Sequence, residues 1–278
     1  VAGGPECRAA KMEVVFAPML ASSAVDSAAS GSFEAFSTSE KLPPFIRRLL
    51  EVVESELGLW SYHLRVVPWI GDASGHPGGR ERQRAEIERV LANDRDGTVR
   101  ASAAVAGFVV YCVGDPARER EVPVVEDLDS LDAPIRYMDA SGNKIEAPGL
   151  TLRDVLVLHK EPEGLVRCSL DWQGRACVVL VMAPGAPSAA KARQADGGPV
   201  RRQSELTDGE LAELWRVAGQ ASQMHGGFED MRLNAGSYQN VAHLHLKVFI
   251  PEANYLKVWQ DSPVYRRLRE ARRSRSRS

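Results

Sequence analysis

The spacing of apolar and polar positions changes several times along the chain, and each change marks an element. From Lys41 the spacing is helical. Phe45, Ile46, Leu49, Leu50, Val53 and Leu57 recur three and four residues apart, behind Pro43 and Pro44 and ahead of Gly58. Residues 61–70, SYHLRVVPWI, predict a strand, 71–80 a loop, and 80–94, RERQRAEIERVLAND, a charged helix. VAGFVVYCVGD, at 105–115, is a run of β-formers and predicts a buried strand. IRYMDASGNKIEA, at 135–147, predicts a hairpin that turns at Ser141-Gly142-Asn143. Between 154 and 184 three short apolar runs are separated by Pro162–Gly164 and by Asp171–Gly174, the pattern of an antiparallel meander. Residues 185–205 read as a long loop.

Thr207 opens the next helix. Its hydroxyl and the Glu210 carboxylate form a capping box, each meeting a backbone donor left free in the first turn. Leu211, Leu214, Trp215, Ala218 and Ala221 make the apolar stripe, and Gly226 and Gly227 end it. DMRLNAG, at 230–236, and VAHLHLKVFIP, at 241–251, predict two more strands. The C-terminal half therefore reads βββ–α–ββ, an α+β antiparallel meander sheet with one principal helix, behind an N-terminal α/β extension.

The chain divides on this reading into four parts. Residues 1–39 are rich in Ala, Ser and Gly without a period, and Arg8 and Lys11 precede a short apolar run; this is the composition of a disordered or targeting leader. Residues 40–148 form an α/β segment of unassigned role. Residues 149–260 hold the meander, and 261–278 form a basic Arg/Ser tail. From Arg266 to Ser278 there are seven arginines and one glutamate, so the formal charge of −2 hides an acidic body. Such a tail fits a solvated end, a nuclear address or an RNA contact. Four cysteines without CxxC spacing favour reduced thiols and an intracellular setting, cytoplasmic or nuclear, with organelle targeting left open. No apolar run reaches 18 residues, so no membrane helix is expected.

The chemistry concentrates in GSYQNVAHLHLKVFIP, residues 236–251. In a strand, alternate residues share a face, which assigns Ala242, Leu244, Leu246, Val248 and Ile250 to the core and His243, His245, Lys247 and Phe249 to the other side. Two imidazoles and an ammonium in one line can grip a phosphate. They also allow one histidine to react while its neighbour orients it.

The order helix, strand, Gly-containing loop, then QNVAHLHLKV resembles the histidine triad superfamily of nucleotide hydrolases and transferases, over residues 150–255 or so. The family signature alternates three histidines with apolar residues on a strand. Gln239 stands four residues before the first histidine, where that family often has Gln, and Asn234 resembles its nucleotide-contacting Asn. The resemblance implies that His245, the middle position, attacks the α-phosphorus of a nucleotide and forms a nucleotidyl-histidine, with His243 orienting it. It further implies that Gln239, Asn240 and backbone N–H groups of 236–239 hold the phosphate. The fold it implies is the family's meander sheet, and many members dimerise. The chain departs from the pattern at three places. Lys247 replaces the third histidine, Asn240 replaces a common Ser or Thr, and no histidine follows the strand at 177–182.

Three alternatives compete. In the first, the domain binds nucleotide or RNA, or serves as a scaffold, without catalysis. In the second, His243 and His245 are ordinary strand residues. In the third they bind a metal, but Glu252 lies too far along to complete a familiar ligand set. The expectation is therefore no metal and no cofactor. His63, His76, His159 and His225 stand alone and read as surface or core-edge residues, His225 at a helix C-terminus where its charge is favourable. Trp172 and Trp215 read as core, Asp171 as a turn residue, and the glycine-rich 75–80 as a loop without the spacing of a phosphate loop.

Overall fold

The computed structural model describes residues 12–16, 33–68, 85, 87–89, 91–98, 101, 107–115, 130–138, 144–158, 164–171, 175–239, 241, 243–262 and 264–266. Eight strands form one antiparallel sheet: β1 (Met12–Phe16), β2 (Tyr62–Pro68), β3 (Phe108–Gly114), β6 (Leu156–Leu158), β7 (Val166–Leu170), β8 (Cys177–Met182), β9 (Asp230–Ala235) and β10 (His245–Phe249). Their spatial order is β1-β3-β2-β9-β10-β8-β7-β6. A separate hairpin pairs β4 (Pro134–Met138) with β5 (Lys144–Thr151). The α-helices bounded by described residues are α1 (Phe33–Ser37), α2 (Leu42–Leu50), α3 (Pro187–Asp196), α4 (Asp208–Met224) and α5 (Glu252–Asp261). The α+β class is as expected. No helix among the described residues is long and apolar enough to cross a membrane.

Alternation sorts the sheet residues onto two faces. Leu64 and Val66 of β2, Met231 and Leu233 of β9, Leu246 and Val248 of β10, and Val178 and Leu180 of β8 are all buried in one cluster with α2 and α4. Removing that apolar area from water is what holds the layers together. Trp215 of α4 lies at its centre, and its indole Nε1–H donates to Gln203 Oε1 at 2.9 Å. The capping box forms as expected: Thr207 N and Oγ1 each donate to Glu210 Oε2 at 2.8 Å. Glu210 does more than cap its own helix. It also accepts from Ser188 N at 2.8 Å, which ties the start of α3 to the start of α4. Over the second face, Ile87 and Leu91 cover Val67, Val109 and Tyr111.

Several expectations change. Residues 185–205, expected as a loop, contain α3; Pro187 sits in its first turn and Gly197, with φ 70°, ends it. The Ala-rich run has weak amphipathicity: Ser188 and Ala189 are buried and Ala192 packs against the core. Two segments of the supposed leader are ordered: β1 pairs with β3, and Phe33 and Phe36 of α1 enter the core. β2 is hydrogen-bonded to β9, so the sheet runs unbroken from the segment before residue 149 into the meander. A further helix, α5, follows β10, and Tyr255, Trp259 and, beyond residue 260, Val264 are buried. His225 caps the C-terminus of α4 but is buried, which pushes its pKa down; the ring is neutral rather than a cation at the helix end. Residues 71–80, the turn at 141–143, Trp172, His76, His159 and the basic tail beyond Arg266 lie outside the described residues.

Candidate functional site

β10 is a central strand, flanked by β9 and β8. It begins at His245, four residues later than the expected start at Val241. His243 therefore stands before the ladder rather than in it. Leu244 N donates to Val200 O at 2.7 Å, which docks the approach to the strand on the segment before α4. Both histidines are buried, His243 2% and His245 7% exposed, so they are not the half-exposed pair that simple alternation predicts.

Each ring is held by a backbone carbonyl. His243 Nδ1–H donates to Leu244 O at 3.0 Å, and His245 Nδ1–H donates to His243 O at 2.8 Å. A carbonyl can only accept, so Nδ1 of His245 carries the proton. Burial, then the Lys247 ammonium, push the His245 pKa down to about 4. The ring is thus neutral near pH 7, and its Nε2 presents a lone pair. Nε2 has no hydrogen-bond partner among the described residues. The polypeptide itself selects the tautomer that a nucleophile at Nε2 requires.

The register brings unexpected neighbours to this face. His245 stands opposite Val181 of β8, and Lys247 opposite Val179 on one side and Arg232 of β9 on the other. Arg232 stands opposite Arg65 of β2, and Asn234 opposite His63. His63, which nothing in its local sequence singles out, donates from Nδ1–H to Asn234 Oδ1 at 2.8 Å and lies 3.9 Å, centroid to centroid, from Tyr238. Only the pairing of β2 with β9 places it there. Two carboxylates balance part of the charge: Asp230 accepts from Arg232 Nε, and Asp171 accepts from Arg175 through Nε at 2.6 Å and Nη2 at 3.1 Å. Burial, then Arg175, lower the pKa of Lys247.

Beyond β8 the face carries a small, mostly apolar groove. Leu131, Leu152 and Leu156 form its wall, and Arg167, Ser169, Val179 and Val181 its floor. Two of the floor residues, Val181 and Val179, are the cross-strand partners of His245 and Lys247, so the groove lies across β8 on the face that His245 shares.

The remaining candidates are placed as follows. Asn234 lies on the same face, engaged by His63. Gln239 is buried and donates from Nε2 to Arg201 O at 2.9 Å, a strap between two chain segments. Asn240 lies outside the described residues. The turn before the histidines is held tightly. Gly236 has φ 60°, and a Cβ there would meet Ser61 Oγ at 2.4 Å and Trp60 O at 2.6 Å. Ser237 N and Oγ donate to Ser61 Oγ at 3.0 and 3.1 Å.

Among the described residues no group of three or more His, Cys, Asp or Glu side chains is arranged to hold a metal ion. Cys112, Cys168 and Cys177 are buried free thiols, and burial pushes the pKa of Cys112 and of Cys168 up to about 12, which rules them out as nucleophiles near neutral pH. No family model, no curated protein and no solved structure matches this chain.

Proposed function

We propose that the protein is a histidine-triad-like nucleotide-binding protein that transfers or hydrolyses a nucleotidyl group through His245. One observation carries this reading: His245 is a buried, neutral imidazole whose Nδ1–H is fixed on a carbonyl, on a face it shares with Lys247 and with the floor of the groove. In the proposed step, the Nε2 lone pair attacks the α-phosphorus. A P–N bond forms, the bond to the leaving group breaks, and the leaving group departs with that electron pair. Water or another acceptor then attacks the phosphorus, forms a new P–O bond and returns the electron pair to Nε2. The developing imidazolium is stabilised by the His243 carbonyl, and the phosphoryl oxygens by Lys247. In this reading the nucleoside rests against the leucine wall of the groove. His243 acts by supplying its carbonyl to His245 and by its own ring. Gln239 and Gly236 act by holding the turn.

A second reading is binding without turnover, favoured by Lys247 itself. A cation about 7 Å along the strand opposes positive charge on the reacting ring, yet suits a bound phosphate. The deciding experiment is hydrolysis of adenosine and guanosine phosphoramidates and dinucleoside polyphosphates, with nucleotide binding measured on the same samples. Turnover lost in His245→Ala supports catalysis. Binding with no turnover supports the second reading, and neither binding nor turnover removes both.

A further inference from the structure

Beside the His245 position runs a line of three cations. Arg65, Arg232 and Lys247 stand directly opposite one another on adjacent strands of the second face. Adjacent strands lie about 4.8 Å apart, so the line spans about 10 Å at the backbone. Like charges placed directly opposite each other across a sheet oppose folding. Here two such pairs occur in succession, and with Arg175 they make four cations that share two buried carboxylates: Asp230 acts on Arg65 as well as Arg232, and Asp171 on Lys247 as well as Arg175. Asp230 takes Nε of Arg232. Asp171 is turned to Arg175, itself a further cation beside Lys247. Lys247 makes no ion pair within 4.0 Å among the described residues, and Arg65 Nη1 is buried without a hydrogen-bond partner. Arg232 keeps its guanidinium over the Phe249 ring, 4.0 Å from the centroid.

We infer that this row is a seat for a condensed phosphate chain, running across the strands from the His245 position towards Arg65. A single carboxylate or orthophosphate reaches one or two of these side chains. A line of linked phosphates meets all three, and arginine forks match phosphate oxygens in pairs. The groove lies on the β8 side of His245 and the row on the β9 side, so a ligand crossing the site places its apolar part in one and its phosphates on the other. This inference rests on the nucleotide reading above only for the group in the groove; the row itself is a property of charge and register.

The test is calorimetric binding of inorganic tripolyphosphate and of AMP to the full chain, in wild type and Arg65→Gln. The expected result is tripolyphosphate binding weakened about tenfold by Arg65→Gln, the size of one charge-assisted hydrogen bond, with AMP affinity changed less than about twofold. Arg65→Lys keeps a point charge, guards against loss of fold in the Gln variant, and is expected to fall between the two. Equal tripolyphosphate affinity in all three proteins, with AMP bound, overturns the seat and leaves the nucleotide reading standing. Arg65-dependent tripolyphosphate binding without AMP binding upholds the seat and removes that reading. An Arg65-dependent affinity for a short RNA that exceeds that for tripolyphosphate overturns the proposal in favour of a nucleic-acid backbone.

Discussion

Replacing Lys247 by Met tests the electrostatic logic of the site at its centre. Methionine keeps the length and burial of the side chain and removes only the charge. Lys247 lies two residues from His245, about 7 Å along the strand. At an effective dielectric of about 20, two unit charges at that distance repel by about 2.4 kcal/mol, or about 1.7 pKa units. That is a ceiling, because burial is the larger cause of the shift from 6.5 to about 4. A share of about one unit is consistent with both limits, so Lys247→Met is expected to raise the His245 pKa to about 5. The assay is an NMR pH titration of the imidazole signals, with His245→Gln to assign the ring. Stability must follow. The folded ring refuses a proton that the unfolded chain accepts below the ordinary histidine pKa of about 6.5. The unfolded state therefore binds more protons between pH about 6.5 and about 4. The contribution is complete above that window and lost on acidification through it, by about 3 kcal/mol at its lower end. Lys247→Met should reduce that acid loss by about 1 kcal/mol. An unchanged or lowered His245 titration would refute the reasoning, because the ammonium would then have no electrostatic hold on the ring.

Other expectations follow from particular contacts. Gly236→Ala forces a Cβ to within 2.4 Å of Ser61 Oγ at a residue with φ 60°; a loss of about 2–4 kcal/mol in denaturant unfolding is expected, from backbone strain plus overpacking. Gln203→Leu leaves the buried Trp215 indole N–H without an acceptor and should cost about 1–3 kcal/mol by the same assay. Thr207→Ala removes half of the capping box and is expected to lower stability by about 1 kcal/mol. His63→Phe breaks the bond to Asn234 while keeping an aromatic against Tyr238, so the melting temperature should change little; altered nucleotide affinity would place the His63–Asn234 pair in the site, and unchanged affinity would exclude it.

Most elements were legible from local spacing. The helix stripes behind Pro43 and behind Thr207, the strand runs at 62–68 and 108–114, and the meander from 156 to 182 all appear where the pattern sets them. α3 was not legible, because Pro, Gly and Ala dominate its flanks and its apolar stripe consists of alanines alone. In the candidate site, the two histidines, Lys247 and Asn234 were visible as a motif. Arg65, Arg232 and His63 were not, because the residues that bring them to the site are distant in sequence, 65 and 232 being 167 positions apart in the chain and adjacent only in the sheet.

By itself the sequence determined the periods, the caps and the short polar motif, since these are set by neighbours within a few residues. Proline at a first turn, a hydroxyl three residues before a carboxylate, and alternation along a strand act through local backbone geometry and need no distant partner. The tertiary structure alone decided which strands pair, and with them which charges meet. The register of β2 on β9 and of β9 on β10 turned three scattered cations into one row. The start of β10 at His245 buried both histidines and fixed one proton on Nδ1. Register is chosen by burying the whole apolar face of the sheet at once. The polar face is carried along with it, and its chemistry is therefore written in pairings that no local stretch contains.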